Sequence, residues 1–172
     1  MSWYAGHWTP VLIAALAATL TATAGGLATR LGPWYRNLRK PSWQPPEWLF
    51  GPAWTTIFAL TAAAGVLGWA AAPPGAAGVL LILFAVNAGL NIAWSVLFFT
   101  LRRPDWALGE VVALWLSILA IIVAMQGYAA TASLLLLPYL LWVSFASFLN
   151  LTIVRLNAPF RGGAMKSPQE AR

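Results

Sequence analysis

The stretch WALGEVVALWLSILAIIVAMQG, residues 106–127, holds twenty-two residues and a single charge, Glu110, near its start. Wound as an α-helix at ~1.5 Å per residue it is ~33 Å long, enough to cross the ~30 Å hydrocarbon layer of a bilayer. Its apolar residues fall on every side of that helix, so no face is left for water. Four more runs share this character, at 9–29, 48–71, 78–101 and 130–154, and none carries a charge near its centre. Barrel strands would alternate in polarity, and these runs do not. The fold class is therefore an all-α integral membrane protein, a five-transmembrane-helix bundle.

Composition and punctuation agree. Of 172 residues 60% are hydrophobic and 8% charged, where a soluble domain carries about 25% charged residues. Without cysteine, disulfides, thiolate catalysis and Cys-bound metals are excluded. Gly32-Pro33 closes the first run, Pro73-Pro74-Gly75 separates the second from the third, and Pro104-Asp105 opens the fourth, with Asp105 expected as its N-cap. Short links make runs three, four and five antiparallel neighbours. The first run is longer than a signal-peptide core and lacks a basic start, so it is read as a span. The absence of a cleavable presequence favours a bacterial inner membrane.

Arg30, Arg36, Arg39 and Lys40 follow span one, Arg102 and Arg103 follow span three, and Arg155, Arg161, Lys166 and Arg172 end the chain. With five spans, all ten lie on one side. The positive-inside rule makes that side cytoplasmic and places the N-terminus outside. The expected organisation is one transmembrane domain, residues 1–157, and a polar cytoplasmic tail, 158–172.

Residues 30–47, RLGPWYRNLRKPSWQPPE, are long for a link in so compact a chain. Pro41, Pro45 and Pro46 stiffen them, and Trp34, Tyr35, Leu38 and Trp43 supply apolar mass. They can lie at the headgroup level, but prolines at this density fix a shape, and a lid over the basic mouth of the bundle is the reading preferred.

On the third span, at about 100° per residue, Asn87, Asn91, Trp94 and Phe98 share one face, and Ala85, Gly89 and Ala93 another. Asparagine in hydrocarbon needs partners, so the first face looks into the bundle. The small residues form a seam for close helix approach, either within the chain or across a dimer. On the fifth span Tyr139, Trp142, Ala146 and Asn150 share a face below Pro138, which is expected to kink the helix. Trp54 and Phe58 stand one turn apart on the second. Trp3, Trp8 and Trp69 read as lipid-facing belt residues.

The motifs Trp34-Tyr35, Lys40-Pro41-Ser42-Trp43-Gln44-Pro45-Pro46-Glu47-Trp48 and Gly51-Pro52-Ala53-Trp54 resemble the first loop and second helix of the tryptophan-rich sensory protein family. That family includes the mitochondrial translocator protein, or peripheral-type benzodiazepine receptor. Leu90-Asn91-Ile92-Ala93-Trp94 with Phe98-Phe99 resembles its third helix, and Pro138-Tyr139-Leu140-Leu141-Trp142 with Phe145-Ala146 and Leu149-Asn150 its fifth. The resemblance covers residues 10–157 and implies a bacterial member. It implies a homodimeric five-helix bundle that binds porphyrins and other flat hydrophobic ligands, with tetrapyrrole transport, sensing or light-dependent porphyrin breakdown as its role. Carried onto this sequence, the ligand-binding residues are Trp43, Trp54, Phe58, Asn91, Trp94, Trp142 and Ala146, with Trp54 and Trp142 flanking the ring and Asn91 giving a polar contact. Arg36, Arg39 and Lys40 are placed to meet propionates. Membrane lipid is the other partner; no nucleic acid, metal or further cofactor is expected.

Three positions depart from the family pattern. Residues 149–155 keep Arg155 but lack the Tyr of the eukaryotic cholesterol-associated motif, Ser95 replaces a Pro common after the third-helix Trp and predicts a straighter helix, and Phe58 replaces a Tyr. For an enzyme the parts are few. The carboxylates are Glu47, Asp105, Glu110 and Glu170, the sole histidine is His7 in the outer segment, and no nucleophile–base pair or metal cluster is visible. The remaining catalytic route, photochemistry through Trp54 and Trp142 beside a bound porphyrin, is one that the family resemblance alone implies. Glu110, the one acid inside a span, opens a third class, a small proton-coupled exporter. Its shallow position alternatively predicts that it snorkels to the surface.

Overall fold

The computed structural model describes residues 8–160. Trp3 and His7, and Arg161, Lys166, Glu170 and Arg172 of the tail, lie outside the described residues. Five helical spans cross the molecule: Trp8–Ala28, Glu47–Ala71, Ala76–Thr100, Pro104–Gln126 and Ala130–Asn157. The protein is a multi-pass integral membrane protein. In chain order the helices are α1 (Trp8–Ala28), α2 (Pro33–Asn37), α3 (Phe50–Ala71), α4 (Ala76–Ser95), α5 (Pro104–Gln126), α6 (Ala130–Leu135) and α7 (Leu137–Asn157).

Proline and glycine set the boundaries. Pro33 and Pro104 occupy first-turn positions of α2 and α5, where a missing N–H costs nothing. Gly75 precedes α4 at φ 86°, a left-handed conformation that favours glycine. The N-cap of α5 is Arg103, not Asp105. Asp105 sits inside the first turn because Pro104 takes the opening helical position, and its carboxylate accepts from Arg103 Nε (2.8 Å) and Nη2. That contact holds the Arg103 guanidinium above its ordinary value.

The fifth span breaks at Leu136, between α6 and α7. Pro138 cannot donate to the carbonyl of Leu134, and its ring crowds that oxygen, which is the kink expected of it. The third span runs through Ser95 without a break but is not regular to its end. Beyond it, Val96–Thr100 widens into a π-helical turn, with Leu101 N donating to Val96 O (2.8 Å). One extra residue per turn shifts Phe98 and Phe99 around the axis, and the two rings stand 4.7 Å apart.

α1 packs against α3 and α4, α4 against α5, α5 against α7, and α3 against α6. Lipid supplies little drive for apolar helices to associate, so polar ties matter. Asn87 Nδ2 donates to Ser117 Oγ (2.8 Å), Asn91 Nδ2 to Tyr139 Oη (3.0 Å), Trp115 Nε1 to Ser144 Oγ (2.8 Å) and Ser133 Oγ to Ile122 O (3.0 Å). Asn150, fully buried, satisfies its amide by donating to Pro104 O (3.1 Å) and accepting from Leu108 N (3.2 Å). The asparagine face of α4 thus looks inward, as its cost in hydrocarbon requires.

Candidate functional site

Two chambers lie along α1. The larger, about 660 Å³, occupies the half nearer the basic end. Small residues of α1 (Ala15, Ala18, Ala22, Gly25) form one wall, and Phe50, Trp54, Phe58, Asn91 and Ser95 form the other. Gly25 is buried on α1 facing α4; a Cβ there would make an ordinary contact with Ser95 Oγ, at 3.7 Å. The smaller chamber, about 170 Å³, lies toward the opposite end, against Ile13, Thr61, Gly65, Trp69, Leu80 and Phe84. Ala18, Phe58 and Ala62 belong to both.

The Trp54 indole stacks on Phe58 (5.4 Å, 27°) and meets Tyr139 edge-on (6.0 Å). Tyr139 receives the amide of Asn91, so one packed unit joins three of the sequence candidates. Trp142 lines neither chamber. It stands behind Trp54, edge to face at 6.5 Å and 81°, and packs on Phe50 and Phe145. As the rings stand, no gap for a flat molecule separates Trp54 from Trp142. Trp43 stacks on Phe148 (5.2 Å, 22°), also away from both chambers, as is Ala146 one turn beyond Trp142. Trp94 faces α5 and stacks on Phe98 (5.1 Å, 29°). Ala85 and Gly89 are exposed and Ala93 half-buried. Trp8 is exposed, while Trp69 is only partly so because it also walls the smaller chamber.

Residues 30–47 pack over the basic ends of α4, α5 and α7: Tyr35 and Leu38 are buried among Phe98, Ala107, Leu149 and Ile153. Lys40 Nζ sits 3.7 Å from the centre of the Tyr35 ring and 3.0 Å from Glu47 Oε1, at the rim of the larger chamber. Burial, then the Glu47 charge, raises the Tyr35 phenol above its ordinary value, against a weak hydrogen bond from Gln44. Arg36 Nη1 donates to Leu31 O (3.3 Å), a residue of the chamber wall.

Glu110 does not snorkel. Both carboxylate oxygens are shielded and have no hydrogen-bond partner. The Asn87–Ser117 bond fixes the register of antiparallel α4 and α5. Seven residues further along α4 and seven back along α5, that register sets Trp94 level with Glu110, and the Trp94 indole N–H is also buried without a partner. Both side chains lie on the α4–α5 interface because the helix faces carrying Asn87 and Ser117 return every two turns.

Comparison with known proteins now decides the family. The model of the TspO/MBR family matches residues 11–156, nearly the whole described chain. The chain belongs to the TspO/MBR family. Among its relatives, the tryptophan-rich protein TspO of Chlorobaculum tepidum is 46% identical over 128 residues, 72% of this chain and 79% of that protein. TspO of Archaeoglobus fulgidus is 39% identical over 150 residues, 86% and 97% of the two chains. The human translocator protein is 36% identical over 132 residues, 76% and 78%.

For this TspO/MBR member, sequence reasoning left out α1 as a chamber wall, Tyr139 as the partner of Asn91, and the shielding of Glu110. The repeated small residues of 14–26 were the available signal for the first. An Asn inside a span always asks for a partner, but nothing in the sequence says that the partner is Tyr139.

Proposed function

We propose that the protein is a membrane receptor or carrier that takes porphyrins and related flat hydrophobic ligands into the larger chamber. One observation carries the reading: the stacked Trp54–Phe58 pair offers a broad aromatic face across a chamber whose α1 wall is mostly small residues, Ala and Gly with Thr19. Aromatic faces with a few polar groups suit planar apolar ligands. In this reading Trp54 and Phe58 face the ring, Asn91 supplies the polar contact, and Trp142 and Trp94 buttress the wall. Trp43, packed on Phe145 and Phe148 of α7, belongs to a lid formed by residues 30–47. Arg36, Arg39 and Lys40 at the mouth attract propionates. The basic end is cytoplasmic in a bacterial inner membrane, and the seam of exposed Ala85 and Gly89 with half-buried Ala93 joins two copies. The names of the relatives, sensory and translocator proteins, accord with ligand binding in a membrane.

Titration of the detergent-solubilised protein with protoporphyrin IX, followed by tryptophan quenching in the dark, tests this. Saturable quenching weakened by Trp54→Phe and Phe58→Ala is expected; quenching that never saturates, or ignores both substitutions, refutes the chamber. Illumination of the same complex separates binding from light-dependent breakdown, for which Trp54 and Trp142 are the residues in contact. An unchanged porphyrin spectrum dismisses that activity. The shielded Glu110 favours a second reading, proton-coupled export. In proteoliposomes, Glu110→Gln then abolishes transport while leaving porphyrin affinity intact, and transport at the wild-type rate rejects it.

A further inference from the structure

The geometry points to the smaller chamber as a second binding site, for a single-ring aromatic molecule that carries one hydroxyl or carbonyl group. The site stands apart from the larger chamber, with Phe58 as the partition between them, and does not depend on what that chamber binds.

Size sets the first limit. At about 170 Å³ the chamber compares with the engineered apolar cavity of ~150 Å³ that stays dry and takes up benzene. A tetrapyrrole is far too large. Its lining is aliphatic and aromatic, from Ile13, Gly65, Leu80 and Phe84, so an apolar ring is favoured over water.

Thr61 sets the second. In this bundle the hydroxyls of Thr21, Thr55, Thr56, Ser144, Ser147 and Thr152 each donate to the carbonyl four residues back. That is the usual resting place of such a group in a helix. Thr61 does not do so. Its Oγ1 is shielded and has no partner, and Thr61 lines the chamber. A hydroxyl left this way in hydrocarbon gains a partner when rotation about its Cα–Cβ bond turns it to a ligand in the chamber, which selects a ligand able to pair with it. The route in is lateral. Ile13 and Leu81 of the wall are exposed on the lipid side, between α1 and α4. The ligand therefore arrives dissolved in the bilayer, which again selects a small, largely apolar molecule.

The test uses the full chain in nanodiscs and 4-fluorophenol as probe, followed by fluorine NMR, with fluorobenzene as the probe lacking a polar group. Two variants address the chamber. Thr61→Val keeps the volume and removes the hydroxyl. Gly65→Leu fills the space; a Cβ there meets only Phe84, at 3.8 Å, an ordinary contact. Expected are a saturable shift with wild type, affinity lower by roughly three- to tenfold with Thr61→Val, and loss of saturation with Gly65→Leu. Fluorobenzene binding should ignore Thr61→Val. A signal no different from empty nanodiscs overturns the site. So does saturable binding that neither variant alters. Equal weakening of both probes by Thr61→Val overturns the role of the hydroxyl. If Gly65→Leu does not fold, Thr61→Val with the two probes still decides.

Discussion

Asn157, the last residue of α7, holds the segment 30–47 to the bundle by one closed ring of hydrogen bonds. The backbone N–H of Arg39 donates to Asn157 Oδ1 (2.8 Å), and Asn157 Nδ2 donates to Arg39 O (2.8 Å) and to Ile153 O (2.9 Å). Asn157→Ala removes both bonds to Arg39 and leaves the apolar anchors Tyr35 and Leu38 in place. At about 1 kcal/mol net per bond the loss is about 2 kcal/mol, a roughly 30-fold rise in the fraction of molecules with the segment lifted. Hydrogen exchange of peptides covering 34–43, measured in nanodiscs at neutral pH, reads that fraction directly. Exchange in those peptides should quicken by roughly 30-fold, with peptides from the middle of α5 unchanged. Asn157→Asp keeps the acceptor for the Arg39 N–H and loses the donor, so it should fall between. If the segment is a lid on the ligand, the porphyrin dissociation rate rises in the same order. Equal exchange in wild type and Asn157→Ala would refute the reasoning, since the segment would then be held by its apolar residues alone.

Two further outcomes are expected. The fold favours the neutral Tyr35 phenol, whose folded value lies above the ordinary 10.0. Its contribution is therefore complete below pH 10.0 and is lost as pH rises through the folded value. Lys40 lies over the same ring and is paired with Glu47, so the alkaline loosening of segment 34–43 is to be compared in Lys40→Met with and without Tyr35→Phe; no difference between the two refutes the phenol's part. A Cβ on Gly89 meets nothing within 4 Å, so Gly89→Leu leaves the protomer intact. If α4 joins two copies, light scattering of the variant should show a dimer weakened by roughly tenfold or more, and an unchanged dimer would clear the seam.

The spans were legible because lipid asks so little of a sequence: length, apolarity and no central charge. The expected runs match the observed helices to within a few residues at each end, and the inward turn of Asn87 and Asn91 followed from the cost of an amide in hydrocarbon. The kink followed from Pro138. Other features were not legible, for identifiable reasons. The π-helical turn after Ser95 depends on how Phe98 and Phe99 pack beneath Tyr35, a contact between segments far apart in sequence. Asp105 was misplaced by two helical positions because Pro104 takes the first helical position of α5 and Arg103 its N-cap. Glu110 was expected to reach the surface from its depth alone, yet rotation about the helix axis, not depth, decides that, and rotation is set by the Asn87–Ser117 tie. The meeting of Trp54 with Trp142 likewise required knowing that α3 lies beside α7.

The distribution of polar ties assigns different roles to the helices. The side-chain hydrogen bonds of Asn87, Asn91, Trp115 and Ser133 connect α4, α5, α6 and α7. Among the described residues α1 receives only one, from Thr100 Oγ1 to Ala28 O at its end (3.1 Å), and α3 receives none from another helix. In lipid, where apolar surfaces gain little by meeting, that difference is a difference in rigidity. α3 compensates at the end away from the basic residues, where Ala64 is sealed against Leu80, Ile121, Met125 and Leu136. Nearer the basic end it is held by Phe50 and Trp54 against Trp142 and Tyr139 and by Ile57 in the cluster with Val111, Leu114 and Val143, without a hydrogen bond to another helix. α1 buries just Thr21 and Gly25. Both chambers therefore lie between a fixed frame, α4 to α7, and the two helices least bound to it. Parting α1 from α3 would open both chambers most cheaply, since among the described residues this displacement breaks close packing but no side-chain hydrogen bond between the two helices.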